Sequence, residues 1–235
     1  MVDTIVKLLD AITRFFAGIG WPLVCIIAVI WLAPALRDFI SRINNVSGKI
    51  GGAEITLSAE QRDAANQIVA AKIDQVKNQN AAPQNPIVLT NQFNSFLKAA
   101  LATTSKIQVA NTNGKQLLWV DDNPNNNIYE RQALSALGIV ITPAQNTDAA
   151  LALLKQQHFD VIISDMARAE GTTAGYDLLA KTQAADIKAP FIIYSASSNP
   201  TFVAEAKKRG AYGETSSPDV LVSLVTSALG ATSAP

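Results

Sequence analysis

The sequence predicts an α/β protein: an open, doubly wound sheet of five parallel strands, preceded by a transmembrane helix and a helical linker. From residue 115 onward, short apolar runs alternate with amphipathic helical patterns, as in parallel sheets. Residues 15–36 contain no charged side chain, and helical patterns fill much of the stretch between these two parts. We therefore expect an amphipathic helix and membrane anchor at residues 1–43, a linker at 44–113 and the α/β domain at 114–231.

The N-terminal tail predicts an amphipathic helix. Asp3, Lys7, Asp10 and Arg14 recur every three or four residues, so they form one charged stripe with opposite charges four residues apart. Such a helix is expected to lie at the membrane interface. In the alternative arrangement, self-neutralising stripes from several copies meet inside an oligomeric bundle, and on this basis we expect a homo-oligomer.

The uncharged segment at residues 15–36 predicts a single membrane span. As a helix it extends about 33 Å, which is enough to cross a hydrocarbon core of about 30 Å. A cleaved signal peptide and a buried core helix are the alternatives, and both normally have a shorter apolar segment. Arg37, Arg42 and Lys49 follow the segment, against Lys7 and Arg14 before it. The positive-inside rule then predicts a single-pass inner-membrane protein with its C-terminal part in the cytoplasm.

The linker contains one short hairpin and two helices. The hairpin-like element covers residues 49–57, with two glycines at its turn. Ser58 and Gln61 form a capping box that predicts a helix reaching about residue 78. The remaining predicted elements are a flexible connector at 77–86, a helix at 91–103 and a turn at 111–114.

The α/β domain contains five strand–helix pairs. Gly138 and Gly210 follow two of the helical patterns and suit a left-handed helix end. Doubly wound sheets place their functional residues at the carboxyl ends of the strands. The predicted strands are 116–120, 139–141, 161–164, 191–194 and 211–214, and the predicted helices are 128–137, 147–156, 176–183, 200–209 and 220–229.

Composition excludes several classes of function. The 235 residues include 19 basic and 19 acidic side chains, so the formal net charge is zero. Without excess cations to displace counterions from phosphates, we expect no nucleic-acid partner. The single cysteine, Cys25, excludes an intramolecular disulfide framework, and the single histidine, His158, excludes a histidine-rich metal centre. Because His158 precedes the third strand, away from the strand ends, we expect it at the surface.

Polar side chains follow three of the predicted strands. Asp121 and Asp122 come after the first strand, Asp165 after the third and Ser195 after the fourth. Three carboxylates in one crevice would repel one another unless a cation neutralised them, and oxygen ligands suit Mg²⁺. A carboxylate beside such a metal can be phosphorylated, and a strand-end hydroxyl can bind a phosphoryl oxygen. In the alternative interpretation, each aspartate only caps a turn or a helix N-terminus.

The segments LLWVDDN, FDVIISDM, APFIIYSAS and AKKRGAYG, in this order, resemble the receiver domain of bacterial response regulators. The resemblance covers about half of the chain and implies a flavodoxin-like fold for the domain at 114–231. It implies that Asp121 and Asp122 are the acidic metal pair, that Asp165 is the phospho-acceptor, and that the Ala167 carbonyl completes the Mg²⁺ site. It also implies that the Ser195 hydroxyl turns toward the phosphoryl group, and that a histidine kinase or another protein is the partner.

The sequence departs from the receiver pattern at three places. Ser217 stands before Pro218, where receivers carry a lysine that pairs with the phosphoryl group. The aromatic residue expected on the fifth strand is missing, and Glu214 or Thr215 lies nearest to its position, unless Tyr212 substitutes for it. The loop after the third strand is about two residues longer than usual, and we expect its Arg168 to be a solvated side chain; in the alternative, Arg168 supplies positive charge to the site from another direction.

Two hypotheses of function follow. In the first, the chain is a membrane-anchored, atypical receiver-like signalling protein and not an enzyme, with Asp165 as its phospho-acceptor. In the second, it is a pseudo-receiver that senses a ligand or protein and drives oligomerisation of the membrane span as a membrane-perturbing effector. The intact acids favour the first hypothesis, whereas the missing lysine and the charged N-terminal stripe favour the second. A hydrolase of the same fold has little support, because no positioned base is visible beyond the acids.

Overall fold

The computed structural model describes residues 48–50, 53–55, 57–79 and 86–232. The predicted amphipathic helix and membrane span, with Cys25 inside the span, lie outside these residues. Within the described ranges, no helix is both long and apolar enough to cross a bilayer. The described elements are β1 (Gly48–Ile50), β2 (Ala53–Ile55), α1 (Ala59–Gln79), α2 (Pro86–Thr104), α3 (Val109–Thr112), β3 (Gln116–Val120), a 3-10 turn (Pro124–Asn127), α4 (Ile128–Ala136), β4 (Val140–Ala144), α5 (Thr147–Gln156), β5 (Val161–Asp165), α6 (Ala174–Ala184), β6 (Phe191–Tyr194), α7 (Pro200–Lys208), β7 (Gly213–Thr215) and α8 (Pro218–Thr232).

The main sheet has five parallel strands in the order β4-β3-β5-β6-β7. The predicted five-stranded parallel sheet is therefore confirmed, and β1 and β2 form a separate two-stranded sheet at the predicted hairpin. The chain leaves β3 toward β4 on one side and later returns to β5 on the other. Doubly wound sheets bind ligands at such a reversal, outside the carboxyl ends of the strands.

The strands are apolar on both faces because helices cover both sides of the sheet. Alternate residues of each strand enter two different clusters. One cluster includes Leu118, Val120 and Ile162, and the other includes Trp119 and Ile163. All five side chains are at most 2% exposed, so the strand ends rest on a closely packed core.

Helix α1 begins with the predicted capping box. The backbone N–H of Ser58 donates to Oε1 of Gln61 at 2.8 Å, and the N–H of Gln61 donates to the Ser58 hydroxyl at 3.3 Å. Farther along the helix, Ala65 and Ile68 are buried in the same cluster as Trp119 of β3. The core therefore crosses the boundary that we predicted at residue 113, and the linker helices pack on α4 and α8 on one side of the sheet.

Two prolines explain the largest differences from the predicted bounds. Helix α2 starts at Pro86 and not at residue 91, because the fixed φ of proline suits the first turn of a helix. Strand β4 runs on to Ala144, past the predicted end at residue 141. It includes Pro143, which is tolerated because β4 is an edge strand. Residues 80–85, in the predicted connector, lie outside the described residues.

Candidate metal centre at the strand ends

The ends of β3 and β5 bring three carboxylates together. The two strands are neighbours, with Val120 paired to Ser164, so the residues that follow these two lie side by side. Asp121 directly follows β3, and Asp165 is the last residue of β5. One carboxylate oxygen from each of Asp121, Asp122 and Asp165 lies within 4.8 Å of the other two. The convergence that the strand ends predict is thus present.

The oxygens suit a small divalent cation. Ligands on opposite sides of Mg²⁺ lie about 4.2 Å apart, since each Mg–O distance is about 2.1 Å. The three carboxylate oxygens, which lie within 4.8 Å of one another, therefore need to move only slightly closer together to hold the ion. The donor set contains oxygen alone, which is the chemistry that Mg²⁺ prefers.

Asp165 is the carboxylate most perturbed by this arrangement. Burial is the main cause that raises its pKa to about 6, and the charges of Asp121 and Asp122 raise it further. The nearby backbone N–H groups of Met166 and Ala167 lower the pKa of Asp165 and partly oppose this effect. A cation among the three carboxylates would relieve their mutual repulsion. The Ala167 carbonyl as a metal ligand stays a prediction.

Asp121 and Asp122 also hold the loops around the site. Oδ1 of Asp121 accepts the N–H of Asn123 at 2.7 Å, and Oδ2 accepts the side-chain amide of Asn127. Oδ2 of Asp122 accepts the N–H of Ala169 at 2.6 Å, which ties the loop after β3 to the loop after β5. The turn-capping interpretation is therefore correct for Asp121, whereas Asp122 joins two separate loops, and both contacts coexist with the cluster. Asn127 was not identified from the sequence, where it is one of three consecutive asparagines.

Ser195 is held by a carboxylate of the neighbouring strand. Its hydroxyl oxygen lies 2.7 Å from both the Ser197 carbonyl and Oε1 of Glu214, and its one proton can be donated to only one of them. The other carboxylate oxygen of Glu214 accepts the Ser198 hydroxyl at 2.6 Å. Glu214 is 5% exposed and lies at the place where the receiver pattern has an aromatic residue. Ser195 must leave these contacts before it can bind a phosphoryl oxygen.

The prediction that Arg168 is a solvated loop residue is wrong. Its side chain is 0% exposed and forms an ion pair with Glu170 at 3.0 Å. The lengthened loop folds around this guanidinium, and backbone carbonyls and hydroxyls converge on it. The composition of the loop does not reveal these contacts, which is why the prediction failed. The other groups that accept its hydrogen bonds are the hydroxyls of Ser164 and Thr147 and the carbonyls of Asp165 and Ala174.

A lysine of the linker reaches the loop after β7. Nζ of Lys72, on α1, donates to the Ser217 hydroxyl at 2.9 Å and forms an ion pair with Asp219 at 2.7 Å. Nε2 of Gln75, one turn farther along α1, donates to the carbonyl of Ser216. Sequence reasoning missed Lys72, since it lies far from the strand ends in sequence and no local motif marks it.

Gly175 and Tyr194 lie beside Asp165, whereas His158 precedes β5 and lies away from the strand end. A Cβ on Gly175 would lie 2.9 Å from the Asp165 carbonyl oxygen, so glycine lets α6 approach the end of β5. The Tyr194 hydroxyl donates to Oε1 of Glu130 at 2.8 Å, and burial is the main cause that raises the pKa of Glu130. The side chain of His158 is 83% exposed, which confirms its predicted surface position.

Part of the chain is similar to a known family and to several solved structures. Residues 117–218 match the family model of the response regulator receiver domain. The receiver domain of the Francisella response regulator 1452 is 26% identical, over 51% of this chain and 99% of that chain, with a TM-score of 0.46. A two-component response regulator from Clostridium difficile is 19% identical, over 51% and 99% of the two chains, with a TM-score of 0.46. The chemotaxis response regulator CheY4 of Vibrio cholerae is 24% identical, over 48% and 98%, with a TM-score of 0.42. No curated protein matches the chain.

The family match identifies the fold and the domain type of residues 117–218 and leaves the rest of the chain unassigned. Residues 117–218 are a response regulator receiver domain, with the five-stranded parallel sheet that the resemblance implied. The match excludes α1 and α2, although both pack on this domain. The acids lie inside the matched residues, whereas Lys72 lies outside them.

Proposed function

We propose that the chain is a membrane-anchored signalling protein whose receiver domain binds Mg²⁺ and accepts a phosphoryl group on Asp165. The proposal depends on one observation, the three carboxylates within 4.8 Å of one another at the reversal point of the sheet. Asp121, Asp122 and Asp165 are the proposed side-chain ligands, with the Ala167 carbonyl as a fourth ligand. When bound, Mg²⁺ offsets the negative charge of the transferring group.

Asp165 is the nucleophile in this proposal. One of its carboxylate oxygens forms a bond to phosphorus as the P–N bond of a phosphohistidine on a kinase breaks, and the leaving imidazole nitrogen takes up a proton. The N–H groups of Met166 and Ala167 favour the ionised form of this carboxylate. Ser195 turns from Glu214 to bind a phosphoryl oxygen. The chain is then the receiver of a signal and not an enzyme.

Membrane attachment is a separate part of the proposal. Its support is the uncharged segment at residues 15–36 and the basic residues that follow it. We place the segment in the inner membrane as a single span, with the receiver domain in the cytoplasm. The output then passes to a partner protein or to self-association of the span, with no nucleic-acid partner.

The pseudo-receiver hypothesis is the second candidate, and two observations favour it. Glu214 engages the Ser195 hydroxyl at 2.7 Å, and Ser217 stands where the receiver pattern has a lysine. In this function the acidic cluster accepts no phosphoryl group, and a ligand or protein instead drives oligomerisation of the span as a membrane-perturbing effector.

Beryllofluoride, which mimics an acyl phosphate, distinguishes the two functions. We expect the full-length chain in detergent micelles to bind it in the presence of Mg²⁺, with the binding measured by isothermal titration calorimetry. Chelation of Mg²⁺ and the substitution Asp165→Asn should each abolish binding, because each removes part of the site.

Asp186→Asn is the matched control for this experiment. Asp186 has a positive φ of 55°, which asparagine tolerates, and its exposed carboxylate pairs with Lys188 outside the acidic cluster. The control should bind beryllofluoride as the wild type does. If the wild-type chain binds Mg²⁺ but no beryllofluoride, phosphosignalling is contradicted and the pseudo-receiver function is supported.

A further inference from the structure

We propose that Lys72, on the helix that precedes the receiver domain, supplies the positive charge that binds a phosphoryl group at the strand-end acids. This inference rests on the proposed function. It assigns an anion-binding role to a residue outside the matched family segment, 117–218. The binding site is then complete only when the receiver domain and α1 are packed together.

The charge at the site creates the need for such a residue. Three carboxylates and a phosphoryl group carry more negative charge than one Mg²⁺ can neutralise, and phosphoryl sites usually add a protein cation. Arg168 does not meet this need. Its guanidinium pairs with Glu170 at 3.0 Å and donates to the backbone carbonyl of Asp165 at 2.8 Å, so its charge and its donors are already engaged.

Lys72 lies at the same edge of the sheet as the acids. Its ammonium group contacts Ser217, the second residue after β7, and the strands are parallel, so the loops after β5 and β7 share one edge. Ser217 is also the residue that stands before Pro218, where a lysine is expected from the receiver pattern. The hydroxyl at this position thus accepts a hydrogen bond from an ammonium group that another helix provides.

Lys72 also lies on the same face of the sheet as Asp165. Asp165 follows Ile163 by two residues, so both side chains point to one face. Ile163 packs in the same cluster as Ile68 of α1, one turn before Lys72. Helix α1 packs on α4 and α8, and α8 contacts β5, so α1 lies on the side of the sheet that carries the Asp165 side chain.

The sheet register sets the distance between β5, which carries Asp165, and the end of β7, near which Lys72 lies. Asp165 pairs with Tyr194, and Tyr194 with Thr215, so two strand spacings separate β5 from β7. This is about 10 Å at roughly 4.8 Å per spacing. The flexible four-carbon stem of lysine and the outward oxygens of a phosphoryl group on Asp165 shorten this gap from both ends. In the structure Asp219 holds the ammonium group at 2.7 Å, and a phosphoryl group would compete with it.

Beryllofluoride binding to the full-length chain tests the role of Lys72. In Lys72→Met we expect the dissociation constant for beryllofluoride to rise about tenfold, as for the loss of one charged contact. The affinity for Mg²⁺ alone should stay within about twofold, because the acids supply the metal ligands. Lys98→Met, on the neighbouring helix α2 with an exposed side chain, is the matched control and should bind as the wild type does.

Rescue separates an anion-binding lysine from one that only holds α1 in place. The double substitution Lys72→Met with Ser217→Lys restores an ammonium group near the site without restoring the contact to α1, and it should recover most of the affinity. Asp219→Asn releases Lys72 from its ion pair and should tighten beryllofluoride binding several-fold.

Each negative result has a distinct meaning. Unchanged beryllofluoride affinity in Lys72→Met, or a double variant that stays as weak as the single one, would overturn the role of Lys72 and leave the proposed function standing. A wild-type chain that does not bind beryllofluoride would overturn both.

Discussion

Asp165 is the residue at which the chemistry of the site can be tested most directly. Its pKa is raised to about 6 by burial and by two neighbouring carboxylates, from an ordinary value of 3.8. Between these two pH values the folded protein binds more protons than the unfolded chain. The contribution of Asp165 to the free energy of unfolding therefore falls as the pH rises through this window.

The substitution Asp165→Asn should stabilise the metal-free protein at pH 7. The amide removes a repelled charge, and we expect a gain of roughly 1 kcal/mol, well below the full value of the shift because solvent screens the half-buried group. At pH 4 the wild-type carboxyl is already protonated in the folded state, so most of the gain should disappear. Thermal unfolding of the full-length chain in detergent with a chelator, followed by circular dichroism, measures both values.

With Mg²⁺ present, the wild type should become more stable than Asp165→Asn. The ion binds the folded wild type and stabilises it, whereas Asp165→Asn has lost a ligand and gains little. Asp186→Asn again serves as the control. A variant that is less stable than the wild type at pH 7 without metal, or equally stabilised at pH 4 and pH 7, would contradict the electrostatic account of the site.

For individual residues, the sequence predicts a place in the site only where the residue directly follows a predicted strand. Asp121, Asp122 and Asp165 were found in this way, because parallel strands bring their carboxyl ends to one edge. Arg168 and Lys72 were not, since their roles depend on partners that only tertiary packing supplies. The Arg168 guanidinium binds groups from three separate segments, and Lys72 contacts a loop 145 positions away.

At the scale of elements, α1 is the main departure from the predicted organisation. Its capping box and length agree with the prediction, because both depend on local sequence. Its docking on the receiver domain was not predicted, because an amphipathic stripe does not say which surface covers it. Ala64 and Ile68 are both 0% exposed, so the helix contributes to the core that supports β3 and β5.

The substitution Ile68→Ala should therefore weaken the receiver domain itself. Removing a fully buried isoleucine leaves a cavity, and we expect the free energy of unfolding to fall by about 2–5 kcal/mol. Hydrogen exchange of the full-length chain, read at the amides of β3 and α4, measures the effect where α1 packs. Ala59→Gly, at the exposed start of the same helix, is the control and should leave the exchange at β3 nearly unchanged.

A linker that folds independently of the receiver domain would respond differently. In that case Ile68→Ala would raise exchange only within α1, and β3 would keep its protection. Such a result would also remove the structural basis for the role of Lys72, because that role requires α1 to be packed on the sheet.

At the scale of the whole molecule, the order of elements was predictable and their assembly was not. Strands β3, β5 and β6 are short apolar runs and the helices that follow have their own periodicity, so most of the strand–helix pairs follow from sequence alone. The packing of two linker helices on the domain adds contacts between segments that are distant in sequence. If the N-terminal segment is a membrane anchor, α1 is the element that joins it to the site.

The membrane anchor makes a prediction of its own. The centre of the uncharged segment contains Ile26 and Ile27, and each arginine placed at the centre of a span opposes insertion by about 2.5–3.5 kcal/mol. The double substitution Ile26→Arg with Ile27→Arg should therefore move the chain out of the membrane fraction that resists alkaline carbonate. Ile26→Leu with Ile27→Leu keeps the segment apolar and should stay in that fraction. A wild-type chain that carbonate extracts as readily as the arginine variant would rule out the span, while the acidic site and its Mg²⁺ chemistry would remain open to the tests above.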